Sequence, residues 1–97
     1  MASLLLSAEA LDDLDRLEDF LQQSDPASAA STPGLILRAL GILEEHPYMG
    51  QPVEGGLRQL VISRGRTGYV ALYQYREDVD LAVVLAIRHQ REAGIAE

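Results

Sequence analysis

Eight arginines and no lysine carry every fixed positive charge in this chain. Guanidinium suits two-point contact with a carboxylate or a phosphate better than any other cation. Six of the eight follow residue 54, and Arg88, His89 and Arg91 stand close together near the end. Imidazole titrates near neutrality, so His89 between two guanidiniums could move a proton beside a bound phosphate. Arg58 opens an alternating stretch in which Leu60, Ile62 and Arg64 share its face, and Tyr75 shares a face with Tyr69, Ala71 and Tyr73. If the strands that hold them form a regular meander, Arg58 comes near Arg88. The candidate cluster for target binding or catalysis is then Arg58, Tyr75, Arg88, His89 and Arg91.

Each member has a plainer explanation. A strand arginine is commonly a rim residue, and Arg64 and Arg66 flank a turn where solvation suffices. Tyrosines at period two are most economically core or cross-strand pairs. His46 before Pro47 reads as a helix-end partner. A lone histidine is more often structural than catalytic. Other chemistry has no support: two histidines without cysteine give no metal-ligand spacing. Gly65 and Gly68 bracket a hairpin rather than a phosphate-binding strand–helix junction, and no nucleophile elbow occurs. No cofactor is expected.

The elements that must position these groups follow from periodicity. Ser3–Ser7 reads as a first strand, with Ser7 as a cap and Glu9 in the favoured first turn of the next helix. Leu11, Leu14, Leu17 and Leu21 predict an amphipathic helix over roughly residues 8–23, with Asp12, Asp13, Asp15 and Asp19 on a solvated face. Asp25-Pro26 starts one helical turn, Pro33 kinks the chain, and a helix runs from about Pro33 to Glu45. Ile36, Leu40 and Leu43 are its core stripe, widened by Leu35, Ala39 and Ile42. Tyr48–Gly56 reads as a loop. The period then changes to two: Leu57–Ser63, Tyr69–Arg76 and Leu81–His89 are strands of an antiparallel meander. The last is so apolar that it should be central and covered on both faces.

The chain has 97 residues, enough for one domain with a modest core, and 47% of them are apolar, too many for a disordered chain. The net charge is −7, and residues 1–54 hold ten acids against two arginines. Bulk nucleic acid is therefore repelled, and any phosphate-binding role must sit in a local arginine cluster of the second half. The absence of cysteine fits a reducing compartment. The N-terminal apolar run is too short for a signal peptide and no stretch is long enough for a membrane span, so a cytoplasmic protein without membrane contact is expected.

Four segments carry a resemblance to a known family. His46-Pro47-Tyr48-Met49-Gly50-Gln51-Pro52-Val53 resembles the HPxxGxP segment of ParE-type toxins. Gly56-Leu57-Arg58-Gln59-Leu60-Val61-Ile62 is similar to their GxRxLxI strand, and Gly68-Tyr69-Val70-Ala71-Leu72-Tyr73-Gln74-Tyr75 to their GYxxLYxY strand. Val84-Leu85-Ala86-Ile87-Arg88-His89-Gln90-Arg91-Glu92-Ala93-Gly94 resembles their terminal strand and tail. Each motif is loose alone; four in order, at suitable spacing, are fairly specific to the RelE/ParE superfamily.

The resemblance implies an α+β fold: an N-terminal strand and two helices packed on an antiparallel three-strand meander. It also implies a toxin neutralised by a cognate antitoxin encoded beside it, either as a homodimer or in a toxin–antitoxin hetero-oligomer. RelE-type members cut messenger RNA on the ribosome, whereas ParE-type members inhibit DNA gyrase. Arg58 matches the family's strand arginine, and Arg88, His89 and Arg91 its terminal basic cluster. Ribonuclease chemistry needs a base, an acid and cations around the phosphate. Here lysine is absent and Ile95 stands where an aromatic is often found, so His89 would carry most of the proton transfer. The expectation is therefore a ParE-type inhibitor. A metal-independent ribosome-dependent endoribonuclease is the alternative, and a degenerate, non-toxic interaction module the third reading. Pro33 and Gly34 inside the second helix depart from the family's helical hairpin.

Overall fold

The computed structural model describes residues 1–64 and 67–89; of 63, 64 and 67 only the backbone is considered. Strand β1 (Ser3–Leu6) leads through Ser7 into helix α1 (Ala8–Ser24). The Ser7 hydroxyl accepts from the Ala10 N–H at 3.1 Å, satisfying one of the donors a helix start leaves unpaired. The buried stripe of α1 is Ala10, Leu14, Leu17 and Leu21, whereas Leu11 is exposed. The acidic face is not wholly solvated either. Asp12, Asp15 and Asp19 are exposed, but Asp13 is buried.

Pro26–Ala29 (α2) is a single turn, and α3 spans Thr32–Leu40. Pro33 falls in the first turn of α3, where its missing N–H breaks no helical bond. The helix expected to reach Glu45 is instead interrupted at Gly41, whose N–H is shared between Leu37 O (3.1 Å) and Arg38 O (3.2 Å). The shared bond tightens the backbone before α4 (Ile42–Glu45) resumes. Ile36, Leu40 and Leu43 are fully buried as the periodicity requires. Of the residues expected to widen that stripe, Ala39 packs against the core, whereas Leu35 and Ile42 do not; all three line a surface groove.

From Gln51 to His89 the described residues are mostly sheet. The segment read as a loop contains an edge strand, β2 (Gln51–Val53), and a 3₁₀ turn, Glu54–Gly56, with Gly55 and Gly56 at positive φ. The strands β3 (Leu57–Arg64), β4 (Thr67–Arg76) and β5 (Leu81–His89) form the expected antiparallel meander. The five-stranded order is β1-β5-β4-β3-β2, with β1 parallel to β5. The central strand is thus β4, not β5. Nor is β5 covered on both faces: Ala82, Val84 and Ile87 are buried against the helices, whereas Leu81, Val83 and Leu85 remain half-buried on the other side.

A register shift controls which side chains of β5 meet the core. Leu72 pairs with Ala86, but Tyr73 pairs with Val84, so Leu85 is an extra residue. Strict alternation would put Ile87 and His89 on the opposite face from Ala82 and Val84. The bulge brings all four to the helix side, beside Tyr69, Ala71 and Tyr73 of β4 and Leu60 and Ile62 of β3.

Candidate functional site

The register separates the expected cluster into two. Arg58 pairs with Tyr73, whose partner on β5 is Val84; Arg88 pairs with Val70, whose partner on β3 is Val61. Arg58 and Arg88 therefore lie towards opposite ends of the sheet, their β4 partners Tyr73 and Val70 about 10 Å apart along the strand. The expected approach of Arg58 to Arg88 does not occur. It assumed that the start of one outer strand faces the end of the other, but β3 and β5 run parallel on either side of β4.

At one end Arg58 serves the segment before β2. Its Nη1 donates to Gly50 O at 2.7 Å and to Tyr48 O at 3.3 Å, and its guanidinium sits 4.8 Å from the centre of the Tyr48 ring. The Tyr48 ring meets Tyr75 edge-on, with centroids 5.1 Å apart. Buried Tyr73 fixes the same segment: its hydroxyl accepts from the Gly50 N–H and donates to Pro47 O, both at 2.8 Å. Gly50 is required here, since a Cβ would lie 2.7 Å from Tyr73 Cε1. The Tyr75 hydroxyl donates to Asp80 Oδ1 at 2.5 Å, and that hydrogen bond raises its pKa above the usual phenol value. The outcome is a braced loop that presents Tyr48 and Met49, each half exposed.

At the other end the strand edge governs. β1 stops opposite Val84, leaving the rest of β5 without a neighbour on that side. Helix α1 takes over the exposed edge. Ser7 Oγ donates to Leu85 O at 3.3 Å, and the Asp13 carboxylate accepts from the Ile87 N–H at 2.9 Å. Arg88 Nη1 reaches the same carboxylate at 2.5 Å, and Arg16 Nη2 lies 3.4 Å from its other oxygen. Burying a carboxylate demands such partners. His89 is buried between Phe20 and Tyr69, its ring centre 6.0 and 5.4 Å from theirs. Arg91 and Ile95 lie outside the described residues. Sequence reasoning missed Asp13, Arg16 and the Tyr48–Gly50 brace. Only the i,i+3 spacing of Asp13 and Arg16 signals any of this, and that spacing is commonplace.

An apolar groove of about 430 Å³ runs between the helical segment and β3. Leu35 and Ala39 of α3, Ile42 of α4, Met49, and Leu60, Val61 and Ile62 line it, with Arg38 at the rim. Beside it, β2 covers β3 only as far as Gln59.

The family model for the ParE toxin of type II toxin–antitoxin systems matches residues 4–94. The chain belongs to this family. It is 35% identical to Toxin RelE3 of Caulobacter vibrioides over 92 residues, covering 95% of this chain and 98% of that one. It is 35% identical to Toxin RelE1 of the same organism over 72 residues, covering 74% and 77%. Among solved structures, the chromosomal ParDE system of P. aeruginosa superposes with a TM-score of 0.73 at 24% identity, covering 92% of this chain and 96% of that one. A double mutant of E. coli toxin RelE in the free state superposes with a TM-score of 0.67 at 17% identity, covering 97% and 90%. The two structures establish the shared fold. This toxin is thus a type II toxin of the ParE/RelE superfamily, and its α+β architecture is the superfamily's. No helix among the described residues is long and apolar enough to cross a membrane.

Proposed function

We propose that this toxin acts in the cytoplasm by gripping a protein target, DNA gyrase, and not by cutting RNA. One observation carries the reading: among the described residues, the candidate groups a ribonuclease must gather around one phosphate are dispersed. Arg58 is occupied with the carbonyls of Tyr48 and Gly50, and Arg88, at the other end of the sheet, is held by Asp13. His89 is packed between two aromatic rings rather than displayed. Proton transfer requires hydrogen-bond reach of the reacting hydroxyl, and burial of the His89 ring disfavours that approach. An acidic chain is also poorly suited to the anionic surface of a ribosome.

The antitoxin is proposed to lie in the groove between the helices and β3 as a segment that folds on binding. Apolar side chains would fill it, and an acidic residue would meet Arg38. Co-expression with the product of the adjacent gene, followed by pull-down, should recover a complex of nanomolar affinity.

The names of the two curated relatives favour the RelE class, so the ribonuclease is the second reading. Purified toxin tested against gyrase supercoiling and against ribosome-bound messenger separates the two. Inhibited supercoiling with intact messenger is expected. Codon-positioned cuts that fall by about 10²–10⁴-fold in His89→Gln would establish the ribonuclease instead. Silence in both assays, with normal growth on induction, would leave a degenerate interaction module.

A further inference from the structure

We propose that Asp13 is the positioning residue for Arg88: from helix α1 it sets the direction in which the toxin offers that guanidinium to its protein target. The inference rests on the proposed gyrase-binding function and takes Arg88, a candidate for target binding from the sequence, as one of its contacts. Arg88 belongs, by register, to the row of Val70 and Val61 on the sheet face away from the helices. Its side chain nevertheless returns around the strand edge to α1, where Nη1 donates to Asp13 Oδ2 at 2.5 Å and to Ile87 O at 3.2 Å. Two acceptors on one nitrogen fix the plane of the group. The Arg88 side chain as a whole is 44% exposed, while that of its anchor, Asp13, is 12% exposed.

The anchor is rigid for a separate reason. Asp13 also accepts from the Ile87 N–H at 2.9 Å, completing the edge of β5 where β1 has ended. The carboxylate therefore does two things: one oxygen seals the sheet edge and also holds the arginine, while the other lies near Arg16 Nη2 at 3.4 Å. An arginine held in its binding direction before contact loses less rotamer freedom on binding than one that is free. The partner chemistry this suits is a carboxylate on a protein surface.

The two roles of Asp13 can be separated. Asn keeps one oxygen as acceptor for both the Ile87 N–H and Arg88 Nη1 but loses the charge that strengthens the hold on Arg88; Ala loses acceptor and charge together. In Asp13→Asn the toxin concentration that half-inhibits supercoiling should rise by about tenfold, with urea stability close to that of the parent. Asp13→Glu should recover part of the loss. In an Arg88→Gln background Asp13→Asn should add nothing further. In ¹⁵N spectra the Arg88 Nε–H signal should be distinct in the parent and merge with the exposed arginines in Asp13→Asn. An equal loss in both backgrounds, or an Arg88 signal unmoved by Asp13→Asn, would overturn the proposal and leave Asp13 a structural edge seal. If Arg88→Gln itself leaves inhibition unchanged, the reading of Arg88 as a target contact fails, and the positioning role falls with it. If Arg88→Gln weakens inhibition and Asp13→Asn does not, only the positioning role fails.

Discussion

Replacing Tyr73 with Phe removes one oxygen and tests how the Pro47–Gly50 segment is held. That oxygen accepts from the Gly50 N–H and donates to Pro47 O, each at 2.8 Å, and the side chain is fully buried. The Pro47 carbonyl is only half-buried and can turn to water, so its share is a net hydrogen bond of about 1 kcal/mol. Gly50 is buried, and its N–H is left without an acceptor at a cost of about 2 kcal/mol. The ring still fills its volume, so no cavity term adds. The total is about 3 kcal/mol, a large share of the roughly 5–15 kcal/mol that holds a domain of this size together. The melting temperature should drop by roughly 12–24 °C. Urea unfolding followed by circular dichroism measures the loss directly. Met49, which lines the groove, sits on the loosened segment, so antitoxin affinity should fall in parallel. A loss below about 1 kcal/mol would refute the argument; it would mean that Arg58, bonded to Gly50 O and Tyr48 O, holds the loop alone.

Three further outcomes are expected. Ala39→Glu places a carboxylate in the apolar groove and should weaken the antitoxin complex by at least about tenfold in calorimetry without unfolding the toxin. His89→Gln should lower stability by about 1–3 kcal/mol in urea, through lost packing against Tyr69 and Phe20, and should leave supercoiling inhibition intact below the new melting point. Tyr75 should ionise later than an ordinary tyrosine in a phenolate absorbance titration, because its hydrogen bond to Asp80 favours the neutral phenol. Since its folded pKa is raised, the contribution is complete below the unfolded value of about 10 and vanishes as pH climbs through the folded one; Asp80→Asn should abolish the delay.

Local pattern alone determined most of the architecture. The 3.6-residue recurrence of Leu14, Leu17 and Leu21, the Ser7 cap, the Asp25-Pro26 start and the change to period two after Gly56 were all legible, because each is set by neighbours within a turn or a strand. So was the family, through four motifs in order. Tertiary structure decided what those elements bring together. Whether Arg58 meets Arg88 depends on strand direction across a whole sheet, and which face Ile87 and His89 occupy depends on one extra residue, Leu85, whose placement alternation cannot foresee. Asp13 looked like any acid on a solvated helix. Besides Arg16 one turn away, its partners lie 74 and 75 residues away at Ile87 and Arg88, and it is buried where β1 has ended and α1 covers the edge of β5. Contacts between residues that far apart come from packing, and a linear pattern carries no trace of them.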